Sequence, residues 1–311
     1  MSGVPPANAH RVRLDGGARR IESIGPRVQV GWAGKDRSTA HPSKFSRNPL
    51  GHFFVPELPE VENAARRLRT ATVGKTISNM EILHPSLRRR VTKPRLRSLS
   101  GATVRDVRRR GKHQLILLDD GRTLHAHFRM TGDWHIDRID EELPRFARAV
   151  LSFTDGTRVV LDDPRALSTI DLHPAGAPLE LGLGPEPADP SLTPESLHRT
   201  LSTRRGPIKP ALLDQRLIAG LGNIYAAEAL WHARVFPAAP AHTLTQKQIT
   251  ALLTAIRRVI DRATGARYTD SSVSRLAVYD REGKPCRRCR TPIARITQAG
   301  RSTYFCPQCQ R

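Results

Sequence analysis

The chain has 311 residues, with 51 Lys and Arg against 29 Asp and Glu, a formal net charge of +22 and a pI near 11.2. That excess fits a polyanionic partner, but it fits a basic structural protein equally well. No apolar run approaches the roughly 18 residues of a membrane span, and residues 1–20 lack the apolar core of a secretory signal. A membrane protein is therefore excluded, and a cytoplasmic one is expected.

In chain order, residues 1–54 show no sustained periodicity and carry nine Lys or Arg against three acidic residues. Residues 1–55 are expected to be disordered, or a mis-annotated extension absent from the working protein. Their Arg and Ser content leaves import into an organelle as a minor alternative. From Pro56 the pattern becomes ordered. Leu58, Val61, Ala65 and Leu68 form one helical face, Pro59 suits a first turn, and Glu60 and Glu62 complement a helix N-terminus.

Strand-like runs follow. Gln114–Leu118 and Thr123–Phe128 flank a hairpin turn at 119–122, and Ala149–Phe153 and Arg158–Leu161 flank another at 154–157. Residues 174–194 hold six prolines and three glycines and read as a linker. Helical patterns then cover Pro194–Leu201, Lys209–Ile218, Ile224–Ala233 and Thr245–Ala263. The expected fold class is α+β and multidomain. An antiparallel β-sandwich with a leading helix spans 56–185, a helical domain 186–277, and a cysteine module 278–311.

All four cysteines fall in the last 26 residues, as Cys286-Arg-Arg-Cys289 and Cys306-Pro-Gln-Cys309, with sixteen residues between the pairs. That spacing suits a tetrahedral four-thiolate zinc site and argues against disulfides. The signal is strong for one structural Zn2+ and weak for function, because zinc ribbons serve many roles. Upstream, Gly220-Leu-Gly-Asn223 separates two apolar helical runs. Asn223 is placed to cap the second, whose N-terminal amides are suited to a phosphate.

Four segments taken together resemble the formamidopyrimidine-DNA glycosylase and endonuclease VIII family, over Pro56 to Arg311. They are Pro56-Glu57-Leu58-Pro59-Glu60-Val61-Glu62; Arg110-Gly111-Lys112; Lys209 to Gln215 with Gly220 to Trp231; and the cysteine module with Gly300-Arg301. Each has a plainer reading alone: an ordinary helix start, a solvated surface lysine, a helical hairpin packed for its own sake, a generic zinc ribbon. Their order along one chain favours the family.

The resemblance implies a bifunctional DNA glycosylase and abasic-site lyase acting on double-stranded DNA with damaged bases or abasic sites. A monomer associated with the nucleoid is expected, without a nucleotide or redox cofactor. It implies that Pro56 is the nucleophile, Glu57 the acid/base, Glu60 a support for the terminal amine, Lys112 a catalytic phosphate contact and Lys209 a site lysine. It assigns Asn223 and Arg301 to phosphates and carries the helix–two-turns–helix arrangement and the hairpin finger. Inside a chain, a proline nitrogen is a tertiary amide. Only as a terminus is it a secondary amine able to attack a sugar C1′ and form an iminium. Val55 stands where the family has its initiator methionine, and valine is what a GTG start codon yields on conceptual translation. Initiation there, followed by removal of the formylmethionine, would expose Pro56.

The chain departs from the family at the elements that fill the gap left by a flipped base. Met130 matches the first wedge. The second normally reads Asp-Pro-Arg-Arg-Phe-Gly but here is Asp163-Pro164-Arg165-Ala166-Leu167-Ser168. Arg165 remains as reader of the orphaned base, and Leu167 replaces the aromatic wedge. Ala266–Val278 also looks short for a cover over 8-oxoguanine, so broad lesion choice is expected. The rival reading is a non-catalytic protein that binds damaged or abasic DNA, should Pro56 never be exposed.

Overall fold

The computed structural model describes residues 55–88, 92–265 and 276–311. Residues 1–54 and most of Ala266–Val278 lie outside that description, as do the expectations that fall on them.

Helix α1 (Leu58–Thr72) opens the described chain. Two four-stranded antiparallel sheets follow. The first is built from β1 (Ile77–Ile82), β5 (Asp133–Arg138), β6 (Ala147–Phe153) and β7 (Thr157–Asp162), in the order β1-β6-β7-β5. The second is built from β2 (Val104–Arg110), β3 (His113–Leu118), β4 (Thr123–His127) and β8 (Thr169–His173), in that spatial order. Short helices α2 (Pro85–Arg88) and α3 (Lys93–Arg97), not expected from the sequence, lie between β1 and β2.

The two sheets bury one core. Strands β3, β4 and β8 alternate buried and half-buried residues with period two, the mark of a sheet packed on one face. Ile116, Leu124, Ala126 and Ile170 meet Trp134, Leu151, Val159 and Leu161 across the interior. Helix α1 belongs to two cores. Val61, Ala64, Ala65 and Leu68 pack in the sandwich, while Leu58 enters the core of the helical region.

That region comprises α4 (Pro194–Leu201), α5 (Ile208–Leu212), α6 (Asn223–Ala233) and α7 (Gln246–Gly265). The helix expected over Lys209–Ile218 stops at Leu212. Asp214 redirects the chain, its carboxylate accepting from Arg216 N at 3.0 Å and its carbonyl from Leu217 N at 2.9 Å. Such side-chain bonding to nearby amides competes with helix. The chain ends in a hairpin, β9 (Ala294–Gln298) with β10 (Arg301–Phe305), beside the four cysteines. Among the described residues, no helix is long and apolar enough to cross a membrane.

Candidate active site

The sequence places Glu57 and Asn223 far apart, and the fold joins them. Glu57 is 1 % exposed. Its carboxylate accepts from Ile224 N at 2.8 Å and Tyr225 N at 3.3 Å, so it caps α6 from across the molecule. Two expectations change here. Asn223 is the first residue of α6 and does not cap it, the N-cap being Gly222. The amides suited to a phosphate are taken by Glu57. The close approach requires glycine, since a Cβ on Gly222 would lie 2.3 Å from Glu57 Cδ. Next to it, Leu58 N donates to Gly220 O at 3.1 Å.

Glu60 lies one turn along α1. It accepts from Glu57 N at 2.9 Å and from the Tyr225 hydroxyl at 2.5 Å. Burial pushes the Glu60 carboxyl up to about 7, against the pull of the Tyr225 bond. Burial also raises Glu57, opposed by the charge of Lys112 and by the α6 amides. Pro56 directly precedes this pair and is half-buried.

Lys112 occupies the turn between β2 and β3. Burial lowers its ammonium, while the charges of Glu57 and Glu60 act to raise it and that of Arg301 to lower it. The turn is anchored from the linker. Glu186 accepts from Gly111 N at 2.7 Å and binds the Arg109 guanidinium through two bonds of 2.7 and 2.8 Å. Arg109 also reaches Glu62 at 2.6 Å.

Lys209 is 1 % exposed. Its Nζ donates to Asn223 Oδ1 at 2.5 Å, Thr303 Oγ1 at 2.8 Å and Ser302 O at 3.2 Å, and burial brings it down to about 8. Asn223 Nδ2 donates to Ser302 O at 3.1 Å. Thus α5, α6 and the hairpin are joined at one point. Arg301, exposed at the hairpin tip, bears electrostatically on both Lys112 and Lys209. Glu57, Glu60, Lys112, Lys209, Asn223 and Arg301 therefore share one electrostatic neighbourhood beside Pro56.

Met130, Arg165 and Leu167 form a second group. Asp163 is fully buried and organises it. Its carboxylate accepts from the Thr131 hydroxyl, from Arg165 N at 3.1 Å, and from Leu167 N and Ser168 N at 2.8 Å each. The Met130 turn and the 163–168 loop are thereby braced together, with Leu167 44 % exposed. Glu228, missed in the sequence, is likewise a clamp: it accepts from Ala277 N, Val278 N and Tyr279 N at 2.7–2.9 Å. A glutamate on the buried face of an apolar helix was its one signal.

The sulfur atoms of Cys286, Cys289, Cys306 and Cys309 all lie within 4.8 Å of one another. The 286–309 and 289–306 separations are 4.0 and 3.4 Å. They bracket the edge of about 3.8 Å expected for a tetrahedron of thiolates about 2.3 Å from zinc. Trp231 Nε1 and Arg288 N each approach Cys286 Sγ at 3.4 Å, as donors to a thiolate do. The donor set fits a metal.

Family models match nearly all of this stretch. The formamidopyrimidine-DNA glycosylase N-terminal domain matches residues 55–170, the H2TH domain of the same enzymes residues 183–274, and a zinc finger found in FPG and IleRS residues 283–311. The formamidopyrimidine-DNA glycosylase of Paracoccus denitrificans is 38 % identical over 283 residues, covering 83 % of this chain and 100 % of the relative. That of Symbiobacterium thermophilum is 41 % identical over 276 residues, covering 82 % and 89 %. The Lactococcus lactis enzyme, solved non-covalently bound to DNA containing an AP site, superposes with a TM-score of 0.78 at 31 % identity, covering 82 % of this chain and 99 % of that one. The same enzyme in complex with DNA containing an oxidized pyrimidine also gives 0.78 at 31 % identity. This chain belongs to the formamidopyrimidine-DNA glycosylase family. The second domain is the helix–two-turns–helix module, and the hairpin with its four cysteines is the zinc finger.

Proposed function

We propose that the protein is a base-excision repair enzyme that binds double-stranded DNA, removes oxidised bases and cleaves the resulting abasic site. The observation that carries this reading is the pair of buried Glu57 and half-buried Glu60, fastened to α6 directly after Pro56. With Pro56 as the first residue, its nitrogen lone pair attacks C1′ of the damaged nucleoside. Glu57, kept above the ordinary carboxyl range by burial, gives a proton to the sugar ring oxygen as the base departs. The resulting iminium acidifies C2′, so loss of that proton breaks the C3′–oxygen bond, and a second elimination breaks the C5′–oxygen bond. Glu60 orients the terminal amine, and Lys112 and Arg301 neutralise phosphates beside the lesion. Asn223 contacts phosphate, and Lys209 holds it in place against the hairpin. Met130, Arg165 and Leu167 fill the gap and meet the orphaned base. One structural Zn2+ on the four cysteines holds the hairpin that carries Arg301.

The start at Pro56 is supported by the N-terminal domain model, whose match begins at residue 55, and by the Paracoccus relative, whose whole length is covered by 83 % of this chain. The test is borohydride trapping on a duplex with an abasic site. A chain beginning at Pro56 is expected to form a covalent adduct, and one retaining residues 1–55 none. Failure of the Pro56 chain to trap, or equal trapping by both, refutes the mechanism.

A further inference from the structure

The far end of α6 carries a group of side chains with no place in the active site. The helix begins at Asn223 and ends at Ala233, so its two ends are about 15 Å apart at 1.5 Å per residue. At the far end the chain turns through Arg234, the C-cap, in the left-handed conformation with φ 59° and ψ 31°. Glycine takes this conformation freely, but here an exposed arginine takes it. Arg288, between the first two cysteines, folds back onto the same turn. Its guanidinium carbon lies 4.1 Å from the Trp231 ring centroid, and its Nη1 donates to Trp231 O at 3.2 Å. Arg234 N donates to that same carbonyl at 3.2 Å.

Helix α7 completes the group. Arg258 and Arg262 are four residues apart, on one face of the helix, and both are exposed. Burial lowers the half-buried His232 ring below its ordinary range, and the charges of Arg262, Arg288 and Arg258 lower it further. Among the described residues, no ion pair joins Arg234, Arg258, Arg262 or Arg288 to a carboxylate, although Asp261 is exposed beside Arg262. Like charges four apart on a helix destabilise it. The ends of α6 and α7 offset little of this, with about half a negative charge each. The surface is short of anions.

We infer that Arg234, Arg258, Arg262 and Arg288 form a second DNA surface, which takes the phosphates of a duplex segment other than the one in the active site. The inference rests on the DNA-repair function proposed above. All four groups are guanidinium forks, which match phosphate oxygens in shape and charge. The segment held at Asn223 and Arg301 cannot supply these phosphates. Duplex DNA is stiff over about 150 base pairs, and it would have to bend sharply around α6 to reach them. Two segments, one at each end of α6, let the protein pass from one to the other without entering free solution.

The zinc-loaded wild type is saturated with a short duplex carrying a stable abasic analogue, then titrated with a labelled undamaged duplex. The complexes are sized by sedimentation velocity. One chain with two duplexes is expected at low salt, a result that requires no variant to fold. In the Arg258→Ser/Arg262→Ser variant the second duplex should bind at least about tenfold more weakly, with a salt slope lower by about two. The first duplex should stay within about threefold of the wild type, because both substitutions lie away from its contacts. Equal affinity of the first site for lesion-bearing and undamaged duplexes would count against the repair function alone. A wild type that takes one duplex, a variant that keeps the second at full affinity, or a variant that loses both alike overturns the second surface. So does tighter binding of single-stranded RNA or of an acidic peptide than of duplex DNA at that site.

Discussion

Replacing Gly222 with alanine tests whether the fit between Glu57 and the turn before α6 sets the active site. Gly222 has φ −130° and ψ −163°, extended backbone that alanine adopts freely, so the effect comes from the methyl group alone. That carbon would stand 2.3 Å from Glu57 Cδ, 2.5 Å from Oε1 and 2.7 Å from Cγ. Restoring ordinary contact requires the carboxylate to retreat by about 1 Å, away from Ile224 N and Tyr225 N. Overpacking costs about 1–3 kcal/mol, and weakened bonds from amides to a buried carboxylate add to it. A loss of about 2–4 kcal/mol in urea unfolding is expected. Misplacing a reacting group by about 1 Å lowers single-turnover base release by about a hundredfold. Affinity for a duplex carrying a stable abasic analogue should stay within about threefold, because Lys112 and Arg301 lie on other elements and Asn223 stays tied to Lys209 and Ser302. A Gly222→Ala chain starting at Pro56 with unchanged cleavage rate and unchanged unfolding midpoint would refute the reasoning.

The other perturbations each probe a different contact. Tyr225→Phe removes a hydrogen bond that favours ionised Glu60, so the acid limb of the single-turnover pH profile should move upward; an unmoved limb removes Tyr225 from the proton network. Folded Glu60 keeps its proton to about pH 7, against an ordinary value of 4.5. Its contribution to stability is therefore full below 4.5 and lost as the pH rises to 7, a slope that Glu60→Gln should erase in urea titrations. Chelating the metal should abolish DNA binding while the sandwich stays folded, since structural zinc supplies local folding free energy; collapse of the whole far-ultraviolet signal would contradict this. Arg301→Ala should weaken binding to all lesions alike and lower the salt slope by about one, measured by titrations at several salt concentrations. Leu167 stacks less well on a base than an aromatic wedge, so ring-opened purines and abasic sites should be cleaved at least as fast as 8-oxoguanine. A preference of about a hundredfold for 8-oxoguanine in matched duplexes would show that this difference carries no weight.

The sequence revealed most where a local rule was enough. Helix α1 followed from the spacing of Leu58, Val61, Ala65 and Leu68, which are all buried, and the hairpins at 119–122 and 154–157 from their turn residues. The metal cluster followed from cysteine spacing alone. Strands β1, β2, β5 and β8 escaped notice, because charged residues on their open faces blur the alternation, as in Val104–Arg110 with its four arginines. Asn223 shows the other limit. A polar residue after a glycine reads as a cap until a carboxylate 167 positions before the Ile224 amide takes that role.

Four acidic residues have in common what the sequence could not show. Glu57 binds the first amides of α6, Asp163 the wedge loop, Glu186 the Lys112 turn, and Glu228 the chain at 277–279. A carboxylate suits this work because it is acceptor-only, with two oxygens that together take two to four donors. Irregular backbone that must face DNA cannot satisfy its own amides through a sheet or helix. A carboxylate from a rigid neighbour fixes such a loop without adding positive charge or bulk at the surface. In a chain with 51 basic residues and 29 acidic ones, these four acids face inward. The wedge loop, the Lys112 turn and the chain at 277–279 thus owe their positions to residues that need not touch DNA themselves. Substitutions at Asp163, Glu186 or Glu228 would therefore act through geometry, with the phosphate-facing charge left in place.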